Sequence, residues 1–190
     1  MNNETTKQNL LRVTRNLIDN SGIEAVSMRE VGRRADLSRT ASYRHFKSKQ
    51  SLLAEIVVED FHILSSMMLE LENIPTQPKQ FLVKVLNSYH RFAMENPEHY
   101  QLMFNTKWDT EKFPEIETVA LLVFQKTTEY VDKALKASDS TFHTSTEATA
   151  ILYAFIHGLV ELNLVGHKEI AKGLDNPGLL IAKFIDSIFQ

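Results

Sequence analysis

Apolar residues recur at helical spacing along almost the whole chain, and that one property excludes most folds. Leu10, Val13, Leu17 and Ile18 share a stripe, as do Leu52, Leu53, Ile56, Val57, Phe61 and Leu64, and again Leu180, Ile181, Phe184, Ile185 and Ile188. The one alternating stretch, Val160 to Val165, continues an apolar helical run and has no second strand to pair with. The expectation is an all-α protein of about nine helices.

Cap and breaker residues divide the periodicity into elements. Ser21-Gly22 ends a helix over about 4–20. Ser27-Met28-Arg29-Glu30 reads as a capping box flanked by Val26 and Val31 at the staple positions, opening a helix over about 28–35. Asp36-Leu37-Ser38 makes a three-residue break, in which Asp36 tolerates left-handed backbone and Ser38 caps a short helix through about His45. Ser48 then caps a long fourth helix. Pro75 and Pro78 lead into a helix over about 78–95. Asn96-Pro97 and Asn176-Pro177 both read as an N-cap followed by Pro at the first helical position, starting a short helix through Phe104 and a final helix over about 178–189. Between them lie a polar loop from Asn105 to Pro114 with one Trp, and helices over about 115–137 and 145–167.

Charge divides the chain unevenly. Residues 1–50 carry 10 Lys and Arg against 5 Asp and Glu, whereas the other 140 carry 11 against 19. A basic segment on an acidic body suits a first domain (1–50) that meets a polyanion and a second (51–190) with another task. With no Cys, thiolate metal sites, disulfides and Cys nucleophiles are excluded. The polar N-terminus lacks the apolar core of a secretion signal, and the longest uncharged apolar run, Ala148 to Val160, is short of the roughly 20 residues a membrane span needs. A cytoplasmic protein with no membrane partner is expected.

Two short capped helices joined by a three-residue turn have the spacing of a helix-turn-helix. On the second, Leu37 and Ala41 fall on one face, while Arg39, Thr40, Tyr43 and Arg44 fall on the other. Arg can bind guanine bidentately, Thr can meet a base edge or a thymine methyl, and Tyr can bond phosphate. Arg29, Arg33, Arg34, Lys47 and Lys49 flank this face, and the helix starts at Ser27 and Ser48 offer amides to phosphate. The DNA-contacting set so drawn is Ser27, Arg29, Ser38, Arg39, Thr40, Ser42, Tyr43, Arg44 and Lys49.

Residues 10–56 closely resemble the DNA-binding domain of TetR-family transcriptional regulators. The likeness rests on Val26-Ser27-Met28-Arg29-Glu30-Val31, Leu37-Ser38-Arg39-Thr40 and the stretch Tyr43 to Leu53, which holds the family's Tyr-x-His-Phe-x-x-Lys-x-x-Leu pattern in full. Three positions depart: Asp36 stands where Gly is usual, Gly32 where a larger small residue is usual, and Ser42 where an apolar residue or Pro is common. The resemblance implies Tyr43 and His45 at phosphates and Lys49 at the DNA backbone. It also implies a homodimeric repressor whose three-helix N-terminal domain packs on a C-terminal helical bundle that binds a small molecule, with the fourth helix as the lever and the last two helices as the dimer interface. Half-sites would then lie about 34–36 Å apart, or a multiple. Tyr153 to Leu159, and Pro97 to Phe104, are similar to a subclass marked by Trp-His-Gly, with Ile156 in place of the Trp.

For the ligand, Phe61, Met103, Phe104, Trp108, Phe124, Tyr153 and His157 supply aromatic and soft walls with polar anchors, although each is equally a core residue. The acidic balance of the body hints at a cationic lipophile. His157 and Glu161 share a helical face, but two ligands do not make a metal site, and no metal or cofactor is expected. Rival readings are a ligand-independent nucleoid or division factor on the same fold, and a helical-bundle enzyme. The latter lacks a Walker loop, a Gly-x-Ser-x-Gly elbow, a dinucleotide fingerprint and a His-Glu-x-x-His helix.

Overall fold

The computed structural model describes residues 5–139, 142, 144–166 and 172–189, apart from the side chain of Arg39. Among them are nine α-helices and one 3-10 turn, and no strand. The helices are α1 (Thr6–Ser21), α2 (Met28–Arg34), α3 (Arg39–His45), α4 (Lys49–Glu72), α5 (Pro78–Glu95), α6 (Pro97–Phe104), α7 (Pro114–Lys136), α8 (Ser145–Leu164) and α9 (Pro177–Ile188); the 3-10 turn, Ile23–Ala25, is an element the periodicity did not predict.

The caps explain the boundaries. Thr5 and Gln8 form a reciprocal capping box at α1, and Gly22 ends that helix at φ +77 with its N–H on the Ile18 carbonyl. At α2 only half of the expected box forms: Ser27 accepts from the Glu30 amide, while the Glu30 carboxylate turns to Arg33 and Arg34. Asn176 caps α9, but the Asn96 side chain does not cap α6. Gly166, at φ +89, follows the end of α8 at Leu164, three residues before the predicted 167, which lies outside the described residues, as does residue 4 of the predicted first helix.

Compactness divides the chain into residues 1–62 with 96–119, and residues 63–95 with 120–190, a division that runs through α4 and does not follow a cut at residue 50. In the first unit, Leu10, Leu17, Ile18, Val31, Leu52, Ile56 and Val57 are fully buried, and α1 packs on α2 and α6. A polar chain runs through this core. Arg15 Nη1 lies 2.6 Å from Asp60 Oδ1 and its Nε 3.1 Å from Glu59 Oε2; the second Asp60 oxygen lies 2.7 Å from His99 Nδ1, and His99 Nε2 lies 3.2 Å from Asp19. Asp60 and His99 are 1% and 2% exposed, so each relies on these partners for the hydration it has lost.

The second unit is an apolar bundle in which α5 packs on α8 and α9. Leu82, Val131, Ala148, Leu152, Ile156, Ile181 and Ile185 form its centre, Phe155 and Phe184 stack at 3.8 Å, and Lys79 on α5 reaches Asp186 and the Phe189 carbonyl. The α9 stripe is therefore spent inside the unit, and its exposed side is largely polar. On α8 an apolar stripe remains in solvent: Ile151, Ala154, Gly158 and Leu162, continued by Val165.

Candidate DNA interface and ligand cavity

The helix-turn-helix is built by α2, the turn at residues 35–38, and α3. Asp36, the non-glycine residue with positive φ (+55) among the described residues, makes the turn, and the Leu37 amide closes it on the Gly32 carbonyl at 2.9 Å. Asp thus performs the left-handed step where the family usually has Gly. Ser38 accepts from the Ala41 amide and starts α3. From α3, Thr40, Tyr43, Arg44 and His45 stand in solvent, as do Ser27, Arg29 and Ser38 nearby. The Arg39 side chain lies outside the described residues.

Ser42, expected at the DNA, faces the other way. It is fully buried, and a methyl group added to Gly32 would lie 2.6 Å from its hydroxyl oxygen. A side chain buried between α2 and α3 cannot reach a groove, so Ser42 is a packing residue. The two departures from the family pattern compensate one another: the space vacated at Gly32 is the space the Ser42 hydroxyl fills.

Lys49 is also partly committed within the protein. Its ammonium donates to the Ile23 carbonyl at 3.0 Å, and the Ile23 amide donates to Glu98 on α6 at 3.2 Å. The 3-10 turn ahead of α2 is thus held at both backbone groups of one residue, and one of the three Lys49 donors is spent there. Arg33 and Arg34 grip Glu30, which they hold down at a pKa of about 2, chiefly through the Arg33 hydrogen bond and then that of Arg34. Sequence reading missed the first arrangement, because neither Ile23 nor Glu98 carries a motif signal, and gave the Glu30 carboxylate to the Ser27 amide where it binds Arg33 and Arg34.

In the second unit a small cavity of about 50 Å³ opens among α4, α5, α7 and α8. Leu64, Met67 and Met68 come from α4, Val85, Leu86, Ser88 and Tyr89 from α5, Val123, Phe124 and Thr127 from α7, and Thr149, Leu152, Tyr153 and Ile156 from α8. Of the expected ligand set, Phe124 and Tyr153 line it. His157 stands behind the wall: its Nε2 is 2.9 Å from the Tyr89 hydroxyl and its ring 4.1 Å from that of Tyr153. Burial pushes the His157 pKa down to about 4, against the opposing pull of Glu161, so the imidazole is neutral at pH 7.

Phe61, Met103, Phe104 and Trp108 do not line the cavity. They belong to the first unit, where Phe61 meets Phe104 edge-on at 5.6 Å and Trp108 donates to the Leu102 carbonyl and rests on Phe113. Aromatic content alone could not separate these core residues from cavity walls. No group of three or more His, Cys, Asp or Glu side chains placed to hold a metal ion occurs among the described residues, nor any helix long and apolar enough to cross a membrane.

Comparison with known proteins agrees with this architecture. The chain is similar over its full length to a protein of unknown function from Rhodococcus sp. RHA1, at a TM-score of 0.83 and 18% identity over 98% of that chain. It is similar to a transcriptional regulator of the TetR/AcrR family from Thermobifida fusca YX-ER1 (TM-score 0.70, 18% identity, 94% of this chain and 95% of that one). It is also similar to SmeT in a complex with triclosan (TM-score 0.66, 18% identity, 97% of this chain and 92% of that one). No curated protein matches. Residues 10–56 match the model for bacterial regulatory proteins of the tetR family, and residues 82–177 match that for the tetracyclin repressor-like C-terminal domain. With these two matches covering most of its length, the chain belongs to the TetR family of bacterial regulatory proteins.

Proposed function

We propose that this protein is a cytoplasmic, ligand-responsive repressor that binds a palindromic operator as a homodimer. The observation that carries the reading is the solvent face of α3, where Thr40, Tyr43, Arg44 and His45 project from a helix whose opposite side is anchored by Ser42 and Phe46. Thr40 and Arg39 read bases; Tyr43, His45, Ser27, Arg29, Ser38, Arg44 and the remaining Lys49 donors meet phosphates. The effector occupies the cavity of the second unit, and α4, which carries Lys49 at its start and Leu64, Met67 and Met68 in its second half, is the lever. Coupling of this kind amounts to about 1–3 kcal/mol. Dimerisation runs through α8 and α9. The exposed stripe of Ile151, Ala154, Gly158 and Leu162 supports it, since small residues let a second helix approach closely and an apolar stripe is costly in water. The SmeT complex with triclosan, a neighbour by fold, supports a ligand-binding body, and the cavity favours this reading over a ligand-independent nucleoid or division factor and over an enzyme.

Selection of binding sites from random duplex DNA, at two salt concentrations, tests the proposal. Enrichment of a palindrome with half-sites about 34–36 Å apart, or a multiple, is expected. Arg39→Ala should relax preference at one position and cost about 1–3 kcal/mol. Recovery of no site by a folded dimer refutes sequence-specific binding by the free protein.

A further inference from the structure

A second opening in the same unit, a groove of about 460 Å³ between α4 and α5, has the opposite chemistry to the cavity. Lys84, Asn87, Ser88, His90 and Arg91, all on α5, supply its polar wall, and no Asp or Glu lines it. Lys84, Ser88 and Arg91 fall at i, i+4 and i+7, on one face of the helix. Elsewhere in the unit cations meet carboxylates: Lys79 pairs with Asp186, Lys126 with Glu72 and Glu129, and Lys136 with Asp132. Lys84 instead donates to the Thr76 hydroxyl at 3.0 Å, which leaves its charge unmatched and two of its donors open. Arg91 is exposed, and no hydrogen bond or ion pair engages its guanidinium among the described residues. Asn87 spends one amide hydrogen on the Val83 carbonyl and keeps the other. The most buried of the five is Ser88, at 8% exposure, yet no hydrogen bond engages its hydroxyl among the described residues. Buried hydroxyls are ordinarily satisfied, so an open one beside two open cations marks a place for a group that the chain itself does not supply.

We propose that this groove binds a phosphate group, as the free ion or as the monoester of a small molecule. The inference does not depend on the cavity being the effector site. A phosphate carries about 1.5 to 2 negative charges at pH 7 and three strong acceptor oxygens. The charge matches Lys84 with Arg91, and the oxygens match the ammonium, the guanidinium fork, the free Asn87 hydrogen and the Ser88 hydroxyl. A carboxylate, with one charge and two oxygens, leaves a cation and a donor over. An ammonium would meet two like charges, and an uncharged polyol would offer these cations nothing that water does not. The burial of Ser88 favours a single small group over a nucleic-acid backbone, because a hydroxyl with so little exposed surface is reached by a phosphate that enters the groove and not by one held along a duplex. Ser88 also lines the apolar cavity, so an anion that orders its hydroxyl touches a wall common to both openings.

The test is isothermal titration calorimetry of the full-length protein with inorganic phosphate, phenyl phosphate and benzoate, at fixed ionic strength in chloride. Saturable binding of phosphate at one site per chain is expected, about tenfold tighter than that of benzoate. Tighter binding of phenyl phosphate than of inorganic phosphate assigns the site to an ester, and equal or weaker binding assigns it to the free ion. Ser88→Ala has no hydrogen bond to lose and should unfold like the wild type, yet it should weaken phosphate binding about tenfold, as should Arg91→Gln. Lys183→Gln, which removes an exposed cation of α9, should leave the affinity unchanged. The proposal is overturned if neither phosphate binds saturably, if benzoate binds as tightly, or if the Ser88 and Arg91 variants bind phosphate like the wild type. An equal loss in Lys183→Gln also overturns it, by reducing the effect to general charge attraction. Absence of phosphate binding together with weaker binding of duplex DNA by Arg91→Gln would hand these cations to nucleic acid and overturn it likewise.

Discussion

Replacing Gly32 by Ala sets two effects of known sign against each other. In an open helix the change stabilises by about 0.5–1 kcal/mol, because Ala loses less backbone freedom on folding. Here the new methyl would lie 2.6 Å from the Ser42 hydroxyl oxygen, well inside contact distance. Either the hydroxyl rotates away, giving up its 3.4 Å contact with the Ser38 carbonyl, or α2 and α3 part slightly. Overpacking of this kind costs about 1–3 kcal/mol, so a net loss of about 1 kcal/mol is expected. If Ser42 is first changed to Ala, the nearest remaining atoms are the Leu37 carbonyl oxygen and the residue-42 Cβ, both at 3.6 Å, an ordinary contact. Gly32→Ala should then stabilise by the helical increment alone. The four proteins form a cycle with a coupling of about 2 kcal/mol, read from urea unfolding followed by circular dichroism at one protein concentration, because a dimer's apparent stability depends on concentration. In thermal melts the shift caused by Gly32→Ala should differ between the two backgrounds by about 4–8 °C. If Gly32→Ala has the same effect in both backgrounds to within about 0.5 kcal/mol, the two residues do not compete for space and the compensation argument fails.

Other perturbations test other contacts. Lys49→Met, judged without DNA, should cost about 1–2 kcal/mol through loss of the bond to the Ile23 carbonyl; unchanged unfolding would return the whole ammonium to phosphate binding. Asp60→Ala should cost about 3–5 kcal/mol, because it strips Arg15 and buried His99 of their shared carboxylate, and a loss under about 1 kcal/mol would show the network to be dispensable. For His157 the folded pKa, about 4, lies below that of the unfolded chain near 6.5, so the unfolded state takes up more protons between those values. Relative to His157→Phe, the wild type should lose stability as pH falls from about 6.5 to 4 and hold a constant difference above 7; a parallel loss in both proteins would exclude His157 as the source.

Helix positions were legible because caps and periodicity are local: Ser38, Ser48, Gly22 and the two Asn-Pro steps lie at or beside the boundaries found. Asp36 was legible for the same reason, since a left-handed turn depends on one residue's backbone. Ser42 was misread because its small polar side chain, set between outward-facing neighbours on a seven-residue helix where a shift of one position moves a side chain from water to core, carries no sign that it packs inward. The cavity walls were half legible. Phe124 and Tyr153 belong to it, but Phe61, Met103, Phe104 and Trp108 have the same chemistry in another core, and only three-dimensional packing separates them. Asp60 did leave a trace, as a carboxylate set among Ile56, Val57, Phe61 and Leu64 on an otherwise apolar stripe. Its partners, Arg15 and His99, are too distant in sequence for spacing to find.

The chain's single Trp has a practical consequence for following this protein in solution. Trp108 belongs to the first unit, hydrogen-bonded through its indole N–H to the Leu102 carbonyl, and takes no part in the cavity wall. Its emission is therefore not a direct sensor of cavity occupancy, and a silent titration is no sign that a compound fails to bind. An emission change on adding an effector would instead record a rearrangement of the unit that carries the DNA motif. The unmodified protein thus contains its own optical reporter of signal arrival.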